Sequence, residues 1–384
     1  MLRLCLLALF IESSPASWSY HRYRNFKKSK SSKSEKENQV EDTISLVPSS
    51  PRVAVGGSKT KLTVYPEILI VVDEALHTKL GSSSTKTKEY VTLFMSAVNL
   101  RFKDNMKTLN VELSIVDIDI IKSSEESVDY ISNNIVAPDS LDAKATLSAL
   151  GSHYFSNPRN DIVYDMVLVL TGLNLCIHKG RSCQKSTAGY AYVGGACRSN
   201  PYLKKINAVG IIEDDGGYSG AVVAAHEIGH LLGATHDGTA SPSYMKGPSA
   251  RSCAWSQGYI MSDLRRTKRG LQWSKCSESQ MFSYLSSGAS SCLLNKPRRQ
   301  VAAYQLKTFS QLAAAAPSAD QQCKMKAGTK ACFHDNRVCT QLFCVDGKTG
   351  SCISYRPAVD GTKCNRNGIC FRGDCINSTK SKSV

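Results

Sequence analysis

Residues 226–236 read His-Glu-Ile-Gly-His-Leu-Leu-Gly-Ala-Thr-His, and no other stretch restricts the fold of this chain as tightly. On a helix, positions i and i+4 share a face, so His226 and His230 can grip one ion together. Glu227, one residue on, stays free to act as a base toward water. Gly233 tolerates backbone angles that other residues avoid, so the helix can end there and the chain can swing His236 back as a third ligand. Three protein nitrogens leave a fourth tetrahedral position open, the arrangement of a catalytic rather than a structural zinc site. A pair of surface or capping histidines is the plainer account of HExxH alone, but it does not explain the third histidine.

The segment Gly258-Tyr259-Ile260-Met261-Ser262 follows closely enough to fold a methionine beneath the same site. A lone methionine is ordinarily core filler, yet HExxHxxGxxH with a downstream methionine turn is the signature of the metzincins. Asp237, directly after the third histidine, resembles the residue that marks their reprolysin, or adamalysin, branch. The likeness continues in family order: Tyr65 to Asp73 resembles the first strand, Tyr164 to Gly172 the central strand, and Gly189 to Cys197 the substrate-flanking edge strand. Phe282 to Leu293 resembles the closing helix and final cysteine. This likeness covers residues 61–296, a reprolysin-like metalloprotease domain similar in look to the secreted reprolysins of tick salivary glands.

The resemblance implies peptide-bond hydrolysis, with zinc on His226, His230 and His236 and Glu227 as the catalytic base. Gly233, Asp237 and Met261 would support the site. Gly189, Tyr190, Ala191, Tyr192, Val193 and Gly194 would receive an extended substrate by strand addition. It also implies a structural calcium (Ca2+) on Glu67, Asp165, the Cys292 carbonyl and Asn295. Oxygen donors of these types suit calcium, and ordinary hydrogen bonding by the same residues is the competing reading.

At the N-terminus, Met1-Leu2-Arg3, the apolar run Leu4 to Ile11 and the small residues Pro15-Ala16-Ser17 read as a secretory signal peptide over residues 1–17. That run is too short to span a bilayer and nothing later is long and apolar enough, so a secreted protein without a membrane span is expected. The 15 cysteines suit an oxidising compartment. Cys5 leaves with the leader; six fall at Cys176, Cys183, Cys197, Cys253, Cys276 and Cys292, and eight follow, even groups whose pairing the spacing leaves open. A net charge of +16 favours acidic glycans or anionic cell surfaces, with clusters at Lys27–Lys36 and Arg265–Arg269. Solvated tails and loops are the plainer reading of both clusters. No motif suggests nucleic-acid binding, and Asn377-Ser378-Thr379 is a glycosylation sequon.

Residues 18–60 carry no cysteine and little apolar periodicity, and read as a basic low-complexity linker or short propeptide. The resemblance would place a longer prodomain there, often with a thiolate that silences the zinc, and this segment offers none. From Lys61 the pattern turns α/β. Ile68–Val72 is a continuous apolar run, as expected of a strand buried on both faces. Tyr90–Phe102 has helical spacing, Val111–Ile118 alternates as one strand, Leu141–Tyr154 is helix-like, and Met166–Leu170 is a second buried strand. Ala221–Leu232 forms the zinc-bearing helix behind a turn at Gly216-Gly217. The prediction is an α/β metzincin domain: a twisted, mostly parallel sheet with an antiparallel edge strand and flanking helices, then a small disulfide-rich module.

Residues 297–317 read as a connector, 318–376 as a module too poor in apolar residues to be held by a core, and 377–384 as a tail. The module resembles the disintegrin-like, cysteine-rich unit that follows the protease in the ADAMTS group; a zinc ribbon is the competing reading of its spacing. Arg372-Gly373-Asp374, between Cys370 and Cys375, is similar to the integrin-binding tripeptide of disintegrins, while a glycine turn with charged neighbours is the plainer account. Two functions stand at this level. One is a secreted zinc endopeptidase acting on extracellular matrix, plasma or cell-surface proteins. The other is an adhesion-blocking protein whose integrin partner is reached through the cysteine-rich module. Intact His226, Glu227, His230, His236 and Met261 favour the enzyme, since a scaffold has no need of them together.

Overall fold

The computed structural model describes residues 61–378, apart from 104–105, 123–128, 181, 263, 265–266 and 298–303. The leader, the basic segment 18–60, Arg265, Arg266 and the tail from 379 lie outside the described residues.

The apolar runs set the centre. β1 (Glu67–Val72) and β3 (Met166–Thr171) are buried along their whole lengths. With β2 (Ser114–Ile120), β4 (Gly189–Ala191) and β5 (Val209–Glu213) they form a five-stranded sheet in the order β4-β5-β3-β1-β2. All neighbours are parallel except β4, which runs antiparallel to β5 along the edge. Successive side chains of a strand point to opposite faces. Ile68, Ile70, Val72, Leu168 and Leu170 therefore pack with α1 (Ser84–Phe102) and α3 (Ala221–Leu231). Leu69, Val71, Val167 and Val169 pack on the other face with α2 (Ala143–Ser156). Each large side chain buried this way contributes about 1.5–3 kcal/mol.

Where boundaries differ from those expected, the cause is local. Val111–Ile118 is not one strand. Leu109–Val111 pairs with Leu62–Val64, and the chain changes partner before β2, where Ser114 N–H bonds Pro66 O at 3.0 Å. Pro66, which has no N–H, interrupts the opposite side. Ser140–Asp142 is a strand rather than the first turn of α2, because Asp142 caps that helix by accepting from Ala145 N–H at 2.9 Å. α1 starts at Ser84, under a Ser83 cap. Phe282–Leu293 is not a single closing helix but the end of α4 (Lys275–Leu285) followed by a 3-10 stretch, Gly288–Leu294.

The connector is part of the core. Within it α5 (Phe309–Ala315), opened by a Thr308/Gln311 capping box, buries Phe309 and Leu312 in the same cluster as α1. α6 (Ala319–Ala327) then leads into two hairpins, one joining Phe343–Val345 to Cys352–Ser354, the other joining β6 (Gly368–Phe371) to β7 (Asp374–Asn377). The disulfides are Cys176–Cys183, Cys197–Cys292 and Cys253–Cys276 before the connector. After it come Cys323–Cys344, Cys332–Cys352, Cys339–Cys370 and Cys364–Cys375. Among the described residues, no helix is long and apolar enough to cross a membrane.

Candidate metal centre

α3 is buried throughout, and its i, i+4 geometry places the rings of His226 and His230 with centroids 4.7 Å apart. The helix closes in a Schellman arrangement: Gly233 N–H donates to His230 O and Ala234 N–H to Gly229 O, both at 2.9 Å. Gly233 has φ +101°, and a Cβ there would lie 2.6 Å from Cβ of Tyr284, so conformation and space both demand glycine. The turn returns His236 to 5.1 Å from His226 and 4.8 Å from His230, centroid to centroid. One nitrogen from each ring lies within 4.8 Å of the other two.

Two of these imidazoles are oriented by backbone carbonyls. His226 Nδ1 donates to Ile260 O and His230 Nδ1 to Ala234 O, each at 2.8 Å. A carbonyl only accepts, so the proton is held on Nδ1 and the Nε2 lone pair is left for a metal. Tetrahedral zinc, with Zn–N of about 2.0–2.1 Å, separates its nitrogen ligands by roughly 3.3 Å. His226 Nε2 and His236 Nε2 are 3.1 Å apart. The donor set fits zinc. Cys339, Cys364 and Cys375 also converge, but each is oxidised in a disulfide. With no thiolate to offer, they do not form a zinc ribbon.

Glu227 is 2% exposed and lies against the edge strand. A Cβ added to Gly189 would come within 2.3 Å of Glu227 Oε1, so glycine is what lets β4 pass this carboxylate. Ala188 O accepts from Glu213 N–H at 2.8 Å, while Gly189 and Ala191 oppose Ile212 and Gly210. Bonded and non-bonded pairs alternate in an antiparallel ladder. Gly189 and Ala191 therefore turn their main-chain groups away from β5, toward the open side of the edge strand, where Gly189 O accepts from Thr187 Oγ1 at 2.8 Å. The second half of the expected substrate segment is used differently. Gly194 N–H donates to His230 O at 2.7 Å, Val193 O accepts from Tyr244 Oη at 3.1 Å, and Tyr192 O accepts from Gly195 N–H at 3.1 Å. Tyr190 lies on the strand, whereas Tyr192, Val193 and Gly194 form a turn tied to α3.

Asp237 braces rather than binds. Its N–H donates to Met261 O at 3.0 Å, and its Oδ1 accepts from Ser274 Oγ at 2.6 Å. Burial raises its pKa, and the Ser274 and Ser277 hydroxyls partly offset that. The residue thereby ties the His236 turn to the methionine turn and to the start of α4. Met261 is fully buried, with Sδ 3.2 Å from the Cβ position of Gly229. Trp273 occupies the same underside, its ring 2.7–2.8 Å from that position. The sequence reading named Gly189 for the substrate strand but not for its closeness to Glu227, and it missed Gly229 and Trp273. A lone tryptophan or glycine carries no spacing that points to a distant partner.

The residues expected to hold calcium are also gathered. Asn295 Nδ2 donates to Glu67 Oε2 at 3.2 Å, and Glu67 N–H to Asp165 Oδ2 at 2.9 Å. Asp165 and Cys292 line one pocket. Burial raises both carboxyls, Asp165 to about 7, where the charge of Glu67 adds to the effect.

Arg372-Gly373 forms the two-residue turn of the β6–β7 hairpin, and Asp374 opens β7. Arg372 has φ +51° and Gly373 φ +86°, the left-handed pair that such a turn requires. The turn packs against the neighbouring domain. Arg372 N–H donates to Asp360 Oδ1 at 2.6 Å and its guanidinium to Lys103 O. Asp374 pairs with Lys268 at 3.2 Å, and a Cβ on Gly373 would meet Cβ of Lys268 at 2.7 Å. Both side chains contact the neighbouring domain, the Asp374–Lys268 pair at the exposed surface.

Fold and site together define a metzincin. Residues 65–274 match the reprolysin group of metallo-peptidase family M12, and residues 315–376 match the ADAMTS cysteine-rich domain 2. The chain belongs to metallo-peptidase family M12. It is 42% identical over 315 residues to "A disintegrin and metalloproteinase with thrombospondin motifs like" of Bombyx mori, covering 82% of this chain and 44% of that protein. It is 30% identical over 332 residues to "A disintegrin and metalloproteinase with thrombospondin motifs 18" of Mus musculus, covering 85% and 24%. The chain spans less than half the length of either relative.

Proposed function

We propose that this chain is a secreted, zinc-dependent endopeptidase that hydrolyses extracellular proteins bound in extended form. The observation that carries this reading is the meeting of three imidazoles, two of them oriented by backbone carbonyls, with one buried carboxylate and one outward-facing strand edge. His226, His230 and His236 would hold the ion. When bound, zinc supplies a Lewis acid that polarises the scissile carbonyl and brings the pKa of water to about 7. Glu227 accepts the proton of the attacking water on a carboxylate oxygen and returns it to the leaving nitrogen. Gly189 and Ala191 align the substrate by main-chain hydrogen bonds, with Gly189 keeping its strand close to Glu227. Seven disulfides support export to an oxidising compartment.

The test is cleavage of gelatin or fibrinogen by purified, disulfide-bonded protein, with a zinc chelator and with Glu227→Ala. Chelator-sensitive cleavage that the variant lacks is expected. Uninhibited cleavage, or full activity of Glu227→Ala, would overturn the reading. Adhesion blocking through Arg372-Gly373-Asp374 has less support, because both charges are engaged within the molecule. We also propose calcium at Glu67, Asp165, Asn295 and the Cys292 carbonyl, a set of hard oxygen donors. Added calcium should raise the Tm of the wild type and not of Glu67→Gln.

A further inference from the structure

We propose that the cysteine-rich module braces the metal-bearing helix, through the buried Arg101–Asp360 pair and the positioning residue Trp273. The inference rests on the zinc reading for its consequence, and on packing alone for its geometry. Asp360, from the module, is 2% exposed and pairs with Arg101, 4% exposed, at the end of α1. The carbonyl of Arg101 accepts from Trp273 Nε1–H at 2.8 Å in a buried bond. The Trp273 ring packs on Phe102, centroids 5.0 Å apart, and its far edge reaches the underside of α3 at Gly229. Gly229 stands between His226 and His230. The path from module to ligands thus runs from Asp360 through the buried Arg101 side chain to its carbonyl, then Trp273 and Gly229.

A second contact reaches the other end of the same helix. Lys326 of α6 pairs with Asp215, and Gln322 O lies 3.3 Å from the Cβ position of Gly217. Arg356 Nη1 donates to Ser219 O at 3.4 Å. All three touch the loop that delivers the chain into α3. The module therefore holds both the approach to the helix and the support beneath its last turn. Breaking one partner of a buried pair leaves an uncompensated charge, so the Arg101–Asp360 contact is where docking is most easily undone.

The experiment uses the full chain loaded with zinc, and reads zinc release to a colorimetric chelator together with amide hydrogen exchange across residues 226–233. Asp360→Asn and Trp273→Phe should each release zinc on the order of ten-fold faster and speed exchange in α3, lowering kcat more than KM. Lys268→Ala, which breaks the exposed pair on the same face, should leave both readouts unchanged. Wild-type zinc release and α3 exchange in Asp360→Asn, with trace proteolysis showing the module undocked, would overturn the brace. If Asp360→Asn does not fold, Trp273→Phe decides, since it removes both the donor to Arg101 and the ring edge that reaches Gly229; unchanged readouts again overturn the proposal. A wild type that holds no zinc would defeat the zinc reading instead, while exchange in α3 still tests the brace without metal.

Discussion

Two short motifs stand out in this chain, His226 to His236 and Arg372 to Asp374, and the fold treats them oppositely. In the first, Ile260 O and Ala234 O each take one nitrogen of an imidazole and so leave the other directed at a shared centre. In the second, Lys103 O accepts from the Arg372 guanidinium, Lys268 pairs with the Asp374 carboxylate, and Asp360 accepts from the backbone N–H of Arg372. A motif works as a binding site when neighbours use up its spare groups and leave the reactive ones. It becomes a structural joint when they use up the reactive ones.

Several substitutions press on that contrast. His230→Ala should do most damage, removing bound zinc and all hydrolysis together, as metal analysis and a peptide assay would show. Glu227→Ala should retain zinc and lose activity by about 10²–10⁴-fold; equal loss of metal would mean that the carboxylate is a ligand. Gly189→Ala should cost on the order of 10²-fold in kcat with metal content unchanged, because the new methyl displaces Glu227. Asp374→Ala should be mild, within about 1 kcal/mol of wild-type stability in denaturant titration, since its pair with Lys268 is exposed. If the wild type blocks integrin-dependent adhesion and Asp374→Ala does not, the two motifs are alike after all and the contrast fails.

The smallest effect concerns pH. Asp214 accepts from Gly220 N–H at 2.9 Å at the start of α3, and burial, with Asp215 beside it, raises its carboxyl to about 6. Between the usual carboxylate range near 4 and about 6, the folded state keeps a proton that the unfolded state has lost, so this group's contribution to stability falls as pH rises. Asp214→Asn should flatten that part of the profile of Tm against pH.

Much of this was legible in the sequence. Ile68–Val72 and Met166–Leu170 are too apolar to be anything but doubly buried strands, and the histidines obey the helical period. Their identity as a three-nitrogen set needed only local spacing. What was not legible depends on residues brought together from afar. Nothing near Gly189 announces Glu227, nothing near Gly229 announces Trp273, and the contacts of the Arg372 turn are made by the distant Lys103 and Lys268. Boundaries failed where one residue decides them, as Pro66 splits a strand and Asp142 caps a helix.

The seven disulfides close within the protease domain or within the module, and none crosses between them. A single proteolytic cut between Asn295 and Thr308 would therefore turn one chain into two polypeptides in reversible equilibrium. Dilution alone, without any reductant, would then set how much of the protein remains whole.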